Sequence, residues 1–155
     1  MKKGRVLFWI YCAVMLWLLF GQRLGGWPPE NYREQILQQL NLVPFDTLRR
    51  FFWVIFHSHQ QGLMTHAFIN LAGNVVMFLP LGLFLPVMWP KLARFFRFLA
   101  VCFLLILTVE LVQLATLLGS FDVDDLILNM LGAALGFWLL KLWQMRREKR
   151  KADSK

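Results

Sequence analysis

The chain has 155 residues, of which 58% are hydrophobic and 17% are charged. Soluble domains have about 45–50% apolar and about 25% charged residues, so this composition excludes an ordinary soluble protein and indicates a membrane protein. The formal net charge of +8 would suit nucleic acid, but much of it directly follows an apolar run, and no zinc-finger spacing or aromatic-basic repeat accompanies it. We therefore expect a cytoplasmic membrane flank and no nucleic-acid partner.

The first apolar segment, 6–22, follows basic residues and carries no charge. It is long enough to cross a bilayer if it tilts slightly or the bilayer thins. Its start resembles a signal peptide, but positions 21–23 offer no small-x-small cleavage site, so we predict a retained first span. The glycines and prolines at 25–29 should end that helix.

Two short segments with apolar residues at helical spacing follow, at 31–43 and 46–56. Neither is long enough to cross a membrane, so we predict one or two short interfacial helices between the first and second spans, the second capped by Asp46 or Thr47. Arg49 and Arg50 lie in this second segment and are candidates for binding an anionic headgroup.

The remaining spans of an all-α polytopic membrane bundle of four transmembrane helices are predicted at 67–90, 98–118 and 126–143. A single membrane domain is expected, with a basic cytoplasmic tail at 144–155. Pro80, Gly82 and Pro86 should kink or interrupt the second span.

Basic residues flank the chain start, the short loop between spans two and three, and the chain end. Positive-inside bias therefore predicts that both termini are cytoplasmic. The short acidic turn at 119–125 then lies outside.

Polar residues from three predicted spans meet at outer-leaflet depth in this topology. The candidate pocket residues are Asn70, Asn74, Glu110, Gln113, Asp122, Asp124, Asp125 and Asn129. Polar residues on the same span recur three or four positions apart, which places them on one helix face, so the faces can converge on one pocket. The small residues Gly132, Ala133 and Gly136 continue the Asn129 face and predict close helix packing.

Each polar feature also has a structural explanation. An ionised carboxylate within lipid costs about 2.5–3.5 kcal/mol, so Glu110 indicates function, but with Gln113 it could instead form interhelical hydrogen bonds. The three aspartates could cap a helix or bind a divalent cation, although no established ligand spacing is present and we predict no metal. Sequence motifs identify no catalytic residue and no cofactor.

Several sequence blocks occur together in one order. They are Asn-Leu-Val-Pro-Phe at 41–45, Asn-Leu-Ala-Gly-Asn at 70–74, Phe-Leu-Pro-Leu-Gly at 78–82, Glu-x-x-Gln at 110–113 and Asp-Val-Asp-Asp-Leu-Ile-Leu-Asn at 122–129, followed by Gly132 and Gly136. This arrangement resembles the VanZ-like family of membrane proteins over about 41–136.

The resemblance implies a multi-helix protein of the bacterial cytoplasmic (inner) membrane and low-level resistance to the glycopeptide teicoplanin. Many members carry an arginine just before the Phe-Asp-x-Asp-Asp stretch, where this chain has Leu-Gly-Ser at 118–120. If that arginine binds an anion in relatives, Arg49 or Arg50 must do so here, or the activity differs.

The leading hypothesis is that the pocket binds a membrane lipid or a lipid-linked cell-wall precursor without necessarily transforming it. One alternative is a metal-assisted hydrolase or transferase acting on a lipid phosphate, with Glu110, Asp124 and Asp125 as acid, base or metal ligands. Another is a small transporter, which the intramembrane Glu110 and a broken second span would favour. Four spans without an internal repeat would then require a homo-oligomer.

Overall fold

The computed structural model describes residues 2–21 and 31–153, so the segment at 25–29 that was predicted to end the first helix lies outside the described residues. Most of the described chain is α-helical, which confirms the all-α expectation. The elements are α1 (Lys2–Phe20), α2 (Tyr32–Gln38), β1 (Leu40–Asn41), α3 (Asp46–His57), α4 (Gln61–Met88), a 3-10 turn (Pro90–Ala93), α5 (Phe95–Ala115), β2 (Phe121–Asp122) and α6 (Val123–Asp153).

Three of the described helices, α4, α5 and α6, are long and apolar enough to cross a membrane. At about 1.5 Å per residue even the shortest of them, the 21-residue α5, approximates the thickness of a hydrocarbon core of about 30 Å. The apolar part of α1, Gly4–Phe20, is shorter.

The second predicted span is not broken. α4 continues for 28 residues through Pro80 and Pro86 without interruption. A proline inside a helix removes one backbone donor and kinks or breaks the helix. Of the two effects predicted for this span, a kink or an interruption, the interruption is wrong and the kink stays a prediction.

Close packing of α4 against α6 organises the bundle. Gly132 of α6 lies against the backbone of Val75, and Gly136 lies against the backbones of Leu79 and Gly82. Residue numbers rise together across this contact, so the two helices are parallel. The predicted packing role of these α6 glycines is confirmed, because an added Cβ at either would meet the α4 main chain.

The other long helices cover the α4–α6 pair. Phe98 of α5 is fully buried, and its ring centroid lies 4.9 Å from that of Phe137 on α6. Tyr11 of α1 donates a hydrogen bond of 2.9 Å to the carbonyl of Met77 on α4. These contacts set α1 and α5 antiparallel to α4 and α6, because α1 and α5 end where α4 and α6 begin.

A short parallel strand pairing ties the segment between α1 and α4 to the turn before α6. Leu40 pairs with Phe121 and Asn41 pairs with Asp122. The backbone N–H of Phe121 also donates to the carbonyl of Gln39 at 2.9 Å. This contact places the first turn of α3 beside the first turn of α6.

Candidate functional site

A polar cavity of about 290 Å³ lies at the end of the bundle where α1 and α5 finish and α4 and α6 start. Its lining residues are Leu18, Leu19, Asn70, Asn74, Glu110, Gln113, Leu118, Gly119, Ser120, Asp125 and Asn129. The volume is near the lower end of small-molecule sites, which span about 300–1,000 Å³. The cavity can therefore hold one small polar group.

The structure brings together six of the eight pocket residues predicted from sequence. These six are Asn70, Asn74, Glu110, Gln113, Asp125 and Asn129. The helical spacing within each span accounts for this convergence, since each span contributes one polar face. Asp122 and Asp124 do not line the cavity. Whether the six residues bind a ligand stays a prediction.

Amide donors in the cavity are directed at acceptors of the protein itself. Asn129 Nδ2 donates to Glu110 Oε1 at 3.3 Å, and Asn74 Nδ2 donates to Asp125 Oδ1. Gln113 Nε2 donates to the carbonyl of Leu19 at 3.1 Å, which joins the ends of α5 and α1. These bonds orient both carboxyl groups and use one of the two N–H groups of each named amide nitrogen.

Two acceptor atoms of the cavity residues have no partner within the described part of the chain. They are Oδ1 of Asn70 and Oδ1 of Asn129, both buried. The Asn129 side chain is held deep in the protein, with 3% of the residue exposed, and Glu110 beside it is 4% exposed. Buried polar atoms without a partner are rare in native proteins, so these two oxygens leave part of the hydrogen bonding of Asn70 and Asn129 unsatisfied within the described chain.

Asp124 caps α3 from another helix. Its Oδ1 accepts a hydrogen bond of 2.6 Å from the N–H of Phe45, and its Oδ2 accepts one of 3.0 Å from the N–H of Leu48. The prediction that Asp46 or Thr47 caps α3 is therefore wrong. Phe45 occupies the N-cap position with a left-handed backbone (φ 66°), and its own side chain makes no cap bond. The fully buried Asp124 carboxylate supplies the acceptor instead.

Asp122 joins three parts of the chain. Its Oδ2 accepts hydrogen bonds from Thr47 Oγ1 at 2.6 Å and Asn41 Nδ2 at 3.1 Å. Its Oδ1 accepts from the N–H of Asp124 at 2.8 Å, which satisfies a backbone donor in the first turn of α6. Asp124 thus caps α3, and Asp122 links the 41–47 segment to the start of α6.

The structure does not bring the three aspartates together as ligands for one cation. The carboxylates of Asp122 and Asp124 accept bonds from protein donors, so they do not face a common space with Asp125. Among residues 2–21 and 31–153, no group of three or more His, Cys, Asp or Glu side chains is placed to hold a metal ion.

The two arginines proposed to bind an anion lie outside the cavity lining. Arg50 pairs with Asp46 at 3.1 Å on α3 and donates to Thr47 Oγ1 at 3.3 Å. Arg49 is exposed on the same helix. In this chain the positions just before Phe121, where many VanZ-like proteins have an arginine, are Leu118, Gly119 and Ser120, which line the cavity. Neither Arg49 nor Arg50 lies at that position.

Some lining residues could not be found from sequence. Leu18 and Leu19 reach the cavity only because α1 ends beside α5, and apolar residues in a span carry no distinguishing signal. The turn after α5 folds back through Leu117, whose φ is 53°, and the N–H groups of Leu118 and Gly119 both donate to the Gln113 carbonyl. This left-handed leucine ends α5 where glycine is usual, so composition does not reveal it.

The fold and site together define a small multi-helix membrane protein with a polar cavity at one end of its apolar helices. The model of the VanZ/LLP1 family matches residues 8–144, and the chain belongs to this family of bacterial proteins. It is similar to Protein VanZ of Enterococcus faecium, with 29% identity over 151 residues that cover 97% of this chain and 81% of the relative. No solved structure matches.

Proposed function

We propose that the polar cavity binds the headgroup of an envelope amphiphile, a membrane lipid or a lipid-linked cell-wall precursor, without transforming it. The observation that carries the proposal is a partly open polar cavity, lined by two carboxyl groups and several amide groups, at the end of helices whose outer surfaces are apolar. A headgroup can enter such a cavity while its acyl or prenyl chain stays in the surrounding lipid.

The proposal places four spans in the bacterial cytoplasmic membrane, with α1 as the first. Apolar α1 packs on α4 through Phe8, whose ring lies 5.9 Å from that of Phe84, and a short apolar helix can cross where the bilayer thins around it. Basic residues concentrate at the opposite end of the bundle from the cavity, which favours cytoplasmic termini and a cavity in the outer leaflet.

The proposal also places α3 at the membrane interface. Its exposed aromatic side chains Phe52, Trp53 and Phe56 would otherwise face water. Such residues suit the boundary between headgroups and acyl chains, where amphipathic helices lie flat. The proposal places α2 at the same interface, since the hydroxyl of Tyr32 donates to the carbonyl of Ala115, the last residue of α5, at 2.7 Å.

This orientation predicts the labelling of two introduced cysteines. In a background in which Cys12 and Cys102 are replaced by alanine, Ser120→Cys on the cavity side should react with a membrane-impermeant thiol reagent on intact cells. Ala93→Cys, in the basic turn before α5, should react only after the cells are permeabilised, because positive-inside bias holds that turn in the cytoplasm.

Gel-shift labelling with and without permeabilisation measures both sites in parallel. The cysteine-free background serves as the control for labelling of other proteins. Labelling of Ala93→Cys but not Ser120→Cys on intact cells would invert the topology and remove the extracytoplasmic cavity.

A role in low-level resistance to glycopeptides such as teicoplanin is included in the proposal, because the family resemblance implies it. Binding of a wall precursor or lipid at the outer leaflet is a physical route to such an effect, since it changes what a large external antibiotic can reach. The enzymatic alternative is less well supported, because Asp124 is occupied as a cap and, among the described residues, Glu110 and Asp125 are the carboxyls that line the cavity. The transporter alternative loses its argument from a broken span, since α4 is continuous.

The Glu110→Ala, Asp125→Ala double variant is expected to lose lipid that co-purifies with the wild type. Both carboxyl groups line the cavity, and each typically contributes charge-assisted or neutral hydrogen bonds to a bound group. Mild detergent extraction followed by native mass spectrometry should show at least about a tenfold fall in the lipid-bound fraction, the change that about 1.4 kcal/mol of lost binding produces.

Thr108→Val is the matched control for this measurement. Thr108 is exposed on α5, one half-turn before Glu110, and its hydroxyl donates to the carbonyl of Leu104 within the same helix. It should retain lipid as the wild type does. Indistinguishable lipid profiles for the wild type and a folded double variant would rule out binding in the cavity.

A further inference from the structure

The acceptor groups that line the cavity include two carboxyl groups, those of Glu110 and Asp125. The amide nitrogens of Asn74, Gln113 and Asn129 each donate one hydrogen bond to a protein oxygen. Both carboxyl groups already accept one such bond, and a carboxyl group can accept several. A group that supplies hydrogen-bond donors can therefore bond to them.

The charged groups that line the cavity also favour a ligand that donates hydrogen bonds. Glu110 and Asp125 contribute two carboxyl groups, and no Lys, Arg or His is found among the lining residues that the structure describes. Among these described residues a phosphate group would find no cationic partner, and its acceptor oxygens would meet the carboxyl oxygens. An ammonium group instead supplies three donors and the opposite charge.

We infer that the cavity recognises its ligand through a primary ammonium group, which donates to the Glu110 and Asp125 carboxyls that line it. This inference rests on the proposed function and names the part of the amphiphile that enters the cavity. The shared chemistry occurs in the headgroup of an aminophospholipid and in an amino group carried by a sugar, a peptide or a small soluble amine.

The size of the cavity supports recognition of one such group rather than of a large head. A volume of about 290 Å³ equals the space of roughly ten water molecules in the liquid, each occupying about 30 Å³. An aminoethyl group with a few neighbouring atoms fits this space. A disaccharide-peptide would have to leave most of its atoms outside.

The test uses three phospholipids with the same acyl chains, mixed in equal parts in bilayer nanodiscs holding the full chain. Phosphatidylethanolamine carries an ammonium with N–H donors, phosphatidylcholine carries a cation without them, and phosphatidylglycerol carries hydroxyl donors without a cation. Native mass spectrometry of the released protein measures which lipid remains bound. The wild type should retain the ethanolamine lipid over each of the other two by at least about tenfold.

The isosteric variants Glu110→Gln and Asp125→Asn should each lower this preference by about tenfold while keeping the helical circular dichroism of the wild type. Thr108→Val should leave it unchanged. If phosphatidylcholine were retained as well as phosphatidylethanolamine, the cavity would recognise positive charge without N–H donors. If phosphatidylglycerol were retained and the carboxyl variants lost it, the cavity would recognise hydroxyl groups. Either result overturns the ammonium inference but leaves amphiphile binding standing.

A second arm separates the two sources of the amine. Free ethanolamine is titrated into protein in choline-lipid nanodiscs, and the side-chain amide signals of isotopically labelled asparagine are followed by NMR. Shifts that disappear in Glu110→Gln, without a preference for the ethanolamine lipid, would assign the site to a soluble or sugar-borne or peptide-borne amine. Lipid preference without these shifts would assign it to a lipid headgroup. Absence of both effects overturns the inference, whereas lipid binding that no cavity variant changes contradicts the proposed function itself.

Discussion

A Gly132→Ala, Gly136→Ala double variant is expected to lose about 2–6 kcal/mol of stability, the sum of two overpacked sites at about 1–3 kcal/mol each. The added Cβ atoms would meet the backbones of Val75 and Leu79, which cannot rotate away as a flexible side chain can. α6 must then move away from α4, and the contact that organises the bundle is lost. Thermal unfolding in detergent, followed by circular dichroism, should show a large fall in midpoint or no cooperative transition.

Gly73→Ala is the matched control, because it makes the same change on α4 at a position with nothing within 4 Å of the added Cβ. Alanine restricts the unfolded chain and favours helix, so this variant should be unchanged or up to about 1 kcal/mol more stable. A double variant that unfolds at the same temperature as Gly73→Ala would show that α4 and α6 do not pack through these glycines.

Asp124→Ala is expected to destabilise the protein by about 2–4 kcal/mol and to release α3. The substitution removes the acceptor of two backbone N–H groups, at Phe45 and Leu48, and hydrogen bonds to a charged group contribute about 1.5–3 kcal/mol each. Phe45 would also lose the bond that accompanies its left-handed backbone, a conformation that is unfavourable for a residue with a Cβ. Hydrogen exchange should rise across 45–50 while α5 stays protected.

The paired control for this cap is Asp46→Ala. Asp46 is also acidic and begins α3, but its carboxylate is exposed and pairs with Arg50 on the same helix at 3.1 Å. Exposed ion pairs of this kind contribute about 0–1 kcal/mol, so Asp46→Ala should be close to wild type. If Asp46→Ala lowered stability more than Asp124→Ala, the result would contradict capping of α3 by Asp124 and support capping by Asp46.

Long apolar segments and polar spacing were readable from the sequence. α4, α5 and α6 follow from apolar runs, and the pairs Asn70/Asn74 and Asp125/Asn129 share faces because helical geometry leaves no other arrangement. The start of α4 at Gln61 and the end of α6 at Asp153 extend past the apolar runs. Helices continue through polar residues when nothing breaks them, so composition marks the membrane segment rather than the helix.

Contacts between distant segments could not be read in the same way. The three aspartates beside α6 looked alike in sequence, yet Asp122 and Asp124 are bonded to the 41–48 segment and only Asp125 faces the cavity. The difference depends on the β1–β2 pairing, which involves two residues from each strand and has no periodic pattern. Two consecutive positions of α6 thus hold a structural carboxylate, Asp124, and a candidate binding one, Asp125.

The cap on α3 also sets an order of biogenesis. The acceptor for Phe45 lies 79 residues later in the chain, and that for Leu48 lies 76 residues later. The ribosome must therefore synthesise α4, α5 and the start of α6 before α3 can acquire its cap. Until then the N–H groups of Phe45 and Leu48 lack this acceptor. A nascent chain stalled before residue 124 therefore carries an α3 without its cap.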